Sequence, residues 1–228
     1  MPFPSPDTQH PVVLPDGQPH LGTVFLKPAV SHPRIEVGDY TYASAHTPPA
    51  DWARLLAPYL YPSSNEWLRI GRFCQIADGV QFITASANHR HDGHSTYPFA
   101  IFDGGIGDPD RPSLPAADRS VDTVVGHDVW FGTGATVLPG AQIGNGVIVS
   151  AGAVVRGIIP SYCYAFGNPV QTRPRFDRQT IAALEAVAWW DWPIADILAH
   201  EAAICGNDLA ALERHAQRVA ATVDRGHL

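Results

Sequence analysis

The chain has 228 residues, and its 15 lysines and arginines stand against 22 aspartates and glutamates, which leaves a formal net charge of −7. This acidic balance without a basic stripe argues against a protein whose main partner is nucleic acid. Hydrophobic residues make up 45% of the chain, and its 20 glycines and 21 prolines fall short of the content typical of disordered or collagen-like chains. The length predicts one folded domain, or one domain with an appendage.

The cysteines predict a reducing compartment, because Cys74, Cys163 and Cys205 are odd in number, lie far apart and form no C-x-x-C pair. No basic residue precedes Lys27, so the first residues lack the charged region of a secretory signal. No apolar run approaches the roughly 18 residues that span a bilayer. We therefore expect a soluble, cytoplasmic protein.

Residues 1–30 are rich in proline and predict an irregular N-terminal arm. A repeating pattern begins at Ile35 and returns after each of two interruptions. We expect one repeat structure over residues 31–170, with insertions near 44–66 and 84–122. Insertions that leave a rigid repeat are where binding and catalytic residues tend to lie.

Residues 123–155 contain a repeat with a period of six. Neither a helix, with apolar spacing near 3.6, nor a short alternating strand accounts for this period. Two inward positions in every six residues, separated by glycine-bearing corners, predict one face of a triangular β-solenoid with coils of about 18 residues. The larger inward residues are Val125, Phe131, Val137, Ile143, Val149 and Val155, and the second inward residues are Thr123, Val129, Ala135, Ala141, Val147 and Ala153.

Residues 171–228 predict a helical C-terminal segment, because the six-residue period stops near Pro169. Asp177 and Asp208 are typical helix N-caps, and apolar residues at helical spacing follow each of them. A cluster of tryptophans between the two predicted helices is typical of a helical tail packed on the end of a solenoid. The cluster consists of Trp189, Trp190 and Trp192.

Three histidines, His89, His91 and His94, lie together in the larger insertion. A His-x-His pair beside an aspartate is typical of zinc ligands. A single histidine that titrates near neutral pH is instead suited to general base catalysis. The residues alone leave three interpretations open, which are a solvated polar loop, one catalytic histidine and a metal site.

Trp130 directly precedes the inward Phe131, so strand alternation points its indole out of the solenoid. A large outward indole indicates contact with a loop or another subunit, or else one wall of a ligand groove. On a straight solenoid these interpretations can describe the same place.

Several motifs accompany these residues along the chain. They are Phe25-Leu26-Lys27-Pro28, Val37-Gly38-Asp39-Tyr40-Thr41-Tyr42, Asn88-His89-Arg90, Asp92-Gly93, Ser95-Thr96-Tyr97-Pro98-Phe99, Val125-Gly126-His127-Asp128-Val129-Trp130-Phe131-Gly132, Leu138-Pro139-Gly140, Gly167-Asn168-Pro169 and Trp189-Trp190-Asp191-Trp192-Pro193. Over about residues 25–200 the chain thereby resembles the xenobiotic acetyltransferases, which include streptogramin A and type B chloramphenicol acetyltransferases. The resemblance implies a mainly β fold, the left-handed parallel β-helix of hexapeptide-repeat acyltransferases, with a long looped-out insertion and a C-terminal helical tail.

The resemblance implies an enzyme that moves an acetyl group from acetyl-CoA to a hydroxyl of an antibiotic or similar xenobiotic. It also implies a homotrimer with active sites between subunits and a small-molecule acceptor; no metal, nucleic acid or membrane partner is expected. His89 matches the family's catalytic histidine, which takes the proton of the acceptor hydroxyl as that oxygen attacks the thioester. Direct transfer needs no nucleophilic residue, so Cys74 and Cys163 are predicted to pack in the core.

The resemblance also assigns binding residues. Trp130 matches the tryptophan that flanks the reacting end of acetyl-CoA, and Arg173 and Arg175 are expected partners of its phosphates. The insertion at 84–122 is expected to form an arm that closes the acceptor pocket across the subunit boundary. The predicted acceptor-binding residues are Tyr42, Tyr61, Asn88, Leu114 and Pro115. The predicted cofactor-binding residues are Trp130, Gly140, Ala151, Arg156, Asn168, Arg173 and Arg175.

Other functions remain open at this point. The motifs from Asn88 to Phe99 favour streptogramin A as the acceptor, segment 204–212 favours chloramphenicol, and an unknown hydroxyl metabolite is a third acceptor. A γ-type carbonic anhydrase, which is a zinc enzyme on the same solenoid, is a remote rival because of the spacing of His89 and His94. The presence of both His89 and Trp130 argues against a binding solenoid without activity.

Overall fold

The computed structural model describes residues 2–108, 110–111 and 121–225. The chain divides into two compact units, one that ends at Arg173 and one that begins at Pro174. Fifteen strands occur among the described residues. They are β1 (Thr23–Phe25), β2 (Ile35–Val37), β3 (Tyr42–Ser44), β4 (Leu68–Ile70), β5 (Gln75–Ile76), β6 (Gln81–Phe82), β7 (Thr123–Val125), β8 (Trp130–Phe131), β9 (Thr136–Val137), β10 (Gln142–Ile143), β11 (Ile148–Val149), β12 (Val154–Val155), β13 (Ile158–Ile159), β14 (Cys163–Phe166) and β15 (Gln171–Pro174).

Three sheets form the three faces of the solenoid that the six-residue period predicts. The seven-stranded face has the order β1-β3-β5-β8-β11-β14-β15, the five-stranded face β2-β4-β7-β10-β13, and the three-stranded face β6-β9-β12. Successive coils pair in parallel, so that Ile70, Val125 and Ile143 lie in register on the five-stranded face. β1 is antiparallel to β3.

The interior of the solenoid holds the inward residues of the repeat, as predicted. Val125, Phe131 and Val137 are at most 3% exposed. The rings of Phe82 and Phe131 meet edge to face, with their centroids 5.4 Å apart. The last coil is shorter than the period predicts, because Ile159 pairs with Ile143 two residues early.

Tight corners separate the faces, and glycine is needed at them for two different reasons. A Cβ on Gly71 would lie 2.3 Å from the backbone oxygen of Gly126 in the next coil, so only glycine fits between these coils. Gly140 has a φ of +73°, which favours glycine because a side chain there is strained. One column of corners nevertheless uses larger residues at φ between +53° and +62°, namely Tyr40, Phe73, Asp128 and Tyr162.

Short helices lie in the segments that leave the solenoid. α1 (Leu26–Ala29) follows β1, and α2 (Trp52–Leu56) lies between β3 and β4. The Asp51 side chain caps α2 by accepting a hydrogen bond from the Arg54 amide at 3.1 Å. A 3₁₀ turn (Ala85–Ala87) and α3 (Phe99–Phe102) lie between β6 and β7.

The second unit is helical. Its elements are α4 (Arg178–Val187), a 3₁₀ turn (Trp189–Asp191), α5 (Ile194–Ala199), α6 (Glu201–Ile204) and α7 (Leu209–Arg225). Asp177 caps α4 as predicted, since its carboxylate accepts a hydrogen bond from the Thr180 amide at 2.7 Å. Within the part of the chain that the structure describes, no helix combines the length and the apolar character needed to cross a membrane.

Candidate active site

A groove of about 550 Å³ lies on the seven-stranded face beside Trp130. The Trp130 indole points outward from β8, as the repeat predicts, and it is 49% exposed. Tyr42 on β3, Gln75 on β5 and Trp130 on β8 are in register, so their side chains follow one another on the outer side of this face. All three line the groove.

Two histidines that no sequence motif singles out, His20 and His46, also line this groove. The N-terminal segment holds His20 in place, because the His20 amide donates a hydrogen bond to the Val12 carbonyl at 2.8 Å. A Cβ on Gly22 would lie 3.0 Å from Cε1 of His20, so the His20 imidazole packs closely against the backbone of Gly22. The His46 amide donates a hydrogen bond to Oδ1 of Asp78 at 3.1 Å.

The outward row of side chains continues past Trp130. Ile148 on β11 and Tyr164 on β14 are in register with Trp130, and β15 follows at the end of the sheet. The Arg173 guanidinium on β15 lies 5.0 Å from the centre of the Tyr164 ring, a cation–π contact. Three strand spacings separate Trp130 from β15, about 14 Å, so one extended ligand can reach both.

Two corner columns flank the three-stranded face. Ala151 and Asn168 lie on the column shared with the seven-stranded face. Gly140 and Arg156 lie on the column shared with the five-stranded face. The second column is also where the longer insertion returns, since a Cβ on Gly140 would lie 2.7 Å from Cγ2 of Val121. The predicted cofactor-binding residues of the solenoid therefore lie in two places. One is the pair of edges of the three-stranded face, and the other is the outward row of the seven-stranded face that begins at Trp130.

His89 lies in the longer insertion and is exposed. Its Nδ1 atom is 3.0 Å from the carbonyl oxygen of Thr96. Because a carbonyl oxygen can only accept a hydrogen bond, Nδ1 donates and carries the ring proton. The second ring nitrogen, Nε2, then has a free lone pair and is able to act as a base.

The same insertion forms an aromatic hollow of about 580 Å³. The Tyr97 ring lies 4.6 Å from Phe99 and 5.5 Å from Phe102, measured between ring centres. Arg111 donates a hydrogen bond to Asp103 at 2.6 Å on the rim, and this contact holds the pKa of Asp103 below its usual value. The lining of the hollow therefore combines aromatic side chains with one ion pair, Arg111–Asp103.

The two cysteines of the solenoid are buried. Burial raises the pKa of Cys74 to about 12, and it also raises the pKa of Cys163. Both thiols are protonated at neutral pH and pack against the apolar core, as predicted. Neither is suited to nucleophilic attack.

Comparison with known proteins gives the family. Residues 122–157 match the family described as bacterial transferase hexapeptide (six repeats). A chloramphenicol acetyltransferase from Escherichia coli is 35% identical over 205 residues, which cover 86% of this chain and 94% of the relative. A virginiamycin A acetyltransferase from Staphylococcus aureus is 37% identical over 191 residues, which cover 83% of this chain and 85% of the relative. The chain belongs to the xenobiotic acetyltransferases.

As a member of this family, the protein is an enzyme, an acetyltransferase. The fold is the left-handed parallel β-helix of hexapeptide-repeat proteins, with a helical C-terminus, as the sequence predicts. A probable macrolide acetyltransferase from Lysinibacillus sphaericus is a further relative, 41% identical over 133 residues, which cover 58% of this chain and 73% of the relative. All three relatives carry acetyltransferase names.

The predicted site residues of this xenobiotic acetyltransferase fall into separate groups. Tyr42 and Trp130 meet in one groove. Among the described residues, the lining of that groove does not include His89, Asn88 or Tyr61. All three of these side chains are exposed. Arg175 lies in the second unit, whereas Leu114 and Pro115 lie outside the described residues.

The three histidines whose spacing is typical of zinc ligands, His89, His91 and His94, are all exposed. Among the described residues, no three His, Cys, Asp or Glu side chains come together as a metal site. The assignment of the chain as an acetyltransferase rests on its relatives. His20 and His46 belong to no sequence motif. The His20 amide bonds to the Val12 carbonyl in the proline-rich N-terminal segment, and the His46 amide bonds to the side chain of Asp78, which is distant in sequence.

Proposed function

We propose that this acetyltransferase moves the acetyl group of acetyl-CoA to a hydroxyl of an antibiotic, with streptogramin A as the acceptor. The observation that carries the proposal is the hydrogen bond from Nδ1 of His89 to the Thr96 carbonyl at 3.0 Å. It leaves Nε2 with a free lone pair for the proton of the acceptor hydroxyl. The relative named virginiamycin A acetyltransferase supports this acceptor.

The reaction is a direct transfer in which His89 is the general base and then the general acid. Its Nε2 takes the hydroxyl proton while the acceptor oxygen bonds to the thioester carbonyl carbon, and a tetrahedral oxyanion forms. When the carbon–sulfur bond breaks, the imidazolium returns the proton to the leaving sulfur. Proton transfer of this kind contributes roughly 10² to 10⁴ in rate.

The donor is proposed to lie along the outward row of the seven-stranded face. Trp130 covers its reacting end, and Arg173, about 14 Å away on β15, contacts a phosphate. Gly140, Ala151, Arg156, Asn168 and Arg175 remain proposed donor contacts. On the acceptor side, Tyr42, Tyr61, Asn88, Leu114 and Pro115 remain proposed contacts.

The active enzyme is proposed to be a homotrimer. The loop that carries His89 leaves the solenoid after a strand of the three-stranded face. The Trp130 groove lies on the seven-stranded face, and among the described residues His89 does not line it. In the proposed trimer, a second copy brings a His89 to each Trp130. Closed cyclic symmetry satisfies this need for every subunit at once.

Chloramphenicol is the second candidate acceptor. It is favoured by the Escherichia coli relative named chloramphenicol acetyltransferase, which is aligned over 94% of its length. Both antibiotics offer a hydroxyl group, so the two acceptors differ in the shape of the pocket rather than in the chemistry.

Thiol release from acetyl-CoA tests the function, with virginiamycin M and chloramphenicol supplied in parallel as acceptors. We expect release with virginiamycin M, and His89→Ala should lower kcat at least about 10² while leaving the thermal midpoint near wild type. Release with chloramphenicol alone would select the second acceptor. Silence with both, or full turnover by His89→Ala, would contradict the proposal.

A further inference from the structure

The loop that carries His89 is anchored by a buried carboxylate. Glu66 is 3% exposed, although it is an acidic residue, and buried carboxylates need hydrogen-bond donors. Its Oε1 accepts a hydrogen bond from the Ser86 amide at 2.7 Å. Ser86 lies in the 3₁₀ turn Ala85–Ala87. The C-cap of this turn is Asn88, which directly precedes His89.

The same turn is tied to the shorter insertion by hydroxyl groups. The Ser86 and Ser64 hydroxyl oxygens are 2.7 Å apart and share a hydrogen bond. Ser64 is 6% exposed, and its hydroxyl also accepts a hydrogen bond from the Tyr61 amide at 2.9 Å. A short chain of hydrogen bonds therefore joins Tyr61 to the base of the His89 loop.

The other end of the longer insertion is held by the next residue, Trp67. The Trp67 amide donates a hydrogen bond to Oδ1 of Asp122 at 2.8 Å. The Trp67 carbonyl accepts a hydrogen bond from the Thr123 amide at 2.9 Å, where β7 begins. Glu66 and Trp67 thus hold the start and the end of the insertion from adjacent positions.

We infer that Glu66 is a positioning residue, which fixes the base of the His89 loop beside the loop of Tyr61 and thereby supports turnover. This inference rests on the proposed role of His89. A carboxylate suits the task because it accepts strong hydrogen bonds from backbone amides and is held rigidly by the surrounding core. Displacement of a catalytic group by about 1 Å costs up to 10² in rate.

Hydrogen exchange followed by mass spectrometry tests the anchor, and steady-state kinetics of the same proteins tests its effect on the reaction. In Glu66→Ala, amides of 84–90 should exchange at least about tenfold faster than in wild type, because local opening costs less without the bond to Ser86. We expect kcat to fall about 10- to 100-fold. The KM for acetyl-CoA should stay near wild type, because the Trp130 groove is on another face.

Two further variants serve as controls. Glu66→Gln keeps an oxygen that accepts the Ser86 hydrogen bond, so it should recover most of kcat and of the protection at 84–90. Glu36→Ala removes an exposed glutamate that accepts a hydrogen bond from Nε of Arg69 at 2.9 Å and should change neither measurement. A purely structural role would instead lower the thermal midpoint of Glu66→Ala and leave kcat per folded enzyme unchanged.

The outcomes separate this inference from the proposed function. Unchanged exchange at 84–90 in Glu66→Ala overturns the anchor, whatever the kinetics. Faster exchange with unchanged kcat overturns the positioning role if His89→Ala is inactive. If His89→Ala is as active as wild type, the proposed role of His89 is what fails, and the positioning role fails with it.

Discussion

His215 is an imidazole enclosed by other rings in the C-terminal unit. Its ring centre lies 4.5 Å from Trp192 and 4.0 Å from His200. Burial is the main cause that lowers the pKa of His215, and the neighbouring His200 and Arg218 lower it further. The Asp196 carboxylate, 3.5 Å from Nε2, acts in the opposite direction.

This arrangement predicts that acid destabilises the C-terminal unit. The folded pKa of His215 lies below the ordinary value of about 6.5, so the unfolded chain takes up the proton more readily. The contribution of His215 is complete above about pH 6.5 and is lost as pH falls through the folded pKa. Thermal melts at pH 8, 7, 6 and 5 should show a falling midpoint, and His215→Phe should reduce this fall.

The exposed His46→Phe is the matched control and should keep the pH dependence of wild type. A wild-type midpoint that is constant from pH 8 to pH 5 would contradict the prediction. An equally steep fall of the midpoint with pH in His215→Phe would also contradict the prediction.

At the scale of the elements, the coils of the solenoid approach so closely that some corners exclude even a methyl group. At Gly71 the obstacle to a Cβ is the backbone of Gly126, 2.3 Å away, which cannot rotate aside. At Gly140 the obstacle is the Val121 side chain, which can change rotamer, and the remaining cost is the left-handed φ of +73°.

The two glycines therefore predict different losses of stability. Gly140→Ala should cost about 1–2 kcal/mol, the usual penalty for a left-handed residue with a Cβ. Gly71→Ala should cost more, because two coils must separate, and its thermal midpoint should lie clearly below that of Gly140→Ala. Differential scanning calorimetry measures both. A Gly71→Ala protein that melts with the wild type would show that the coils can move apart freely.

At the scale of the whole molecule, the described part of a single chain does not place His89 in the lining of the Trp130 groove. The proposed site between subunits would let both residues serve one reaction. The same proposed interface would cover the exposed aromatic side chains of the longer insertion, where Phe99 is 63% exposed and Phe102 is 71% exposed. We expect a mass in solution near three times the 24.6 kDa of one chain.

Mixed oligomers test the shared site. His89→Ala and Trp130→Ala should each have low activity alone. Co-expressed in equal amounts, they should recover about a quarter of wild-type activity, because one site in four pairs an intact His89 with an intact Trp130 of a neighbouring subunit. Recovery no greater than the average of the two variants would place both residues of a site in one chain. Analytical ultracentrifugation of the mixture checks that the oligomer has formed.

Much of this architecture was predictable from local pattern. The six-residue period predicted the coil and its inward residues, because one corner geometry repeats and each coil must bury the same two positions. Asp177 predicted the start of α4, since an N-cap acts on amides only two or three residues away. Trp130 was predicted to point outward, because side chains alternate along a strand.

The sequence by itself determined the solenoid, the family resemblance and the identity of the candidate base, because each of these depends on spacing or on a local motif. Only the tertiary structure decided that Thr96 orients His89, that Glu66 holds Ser86 and that His20 enters the Trp130 groove. These contacts depend on how loops return to the solenoid. Their partners lie in irregular segments, where no period relates sequence distance to distance in space.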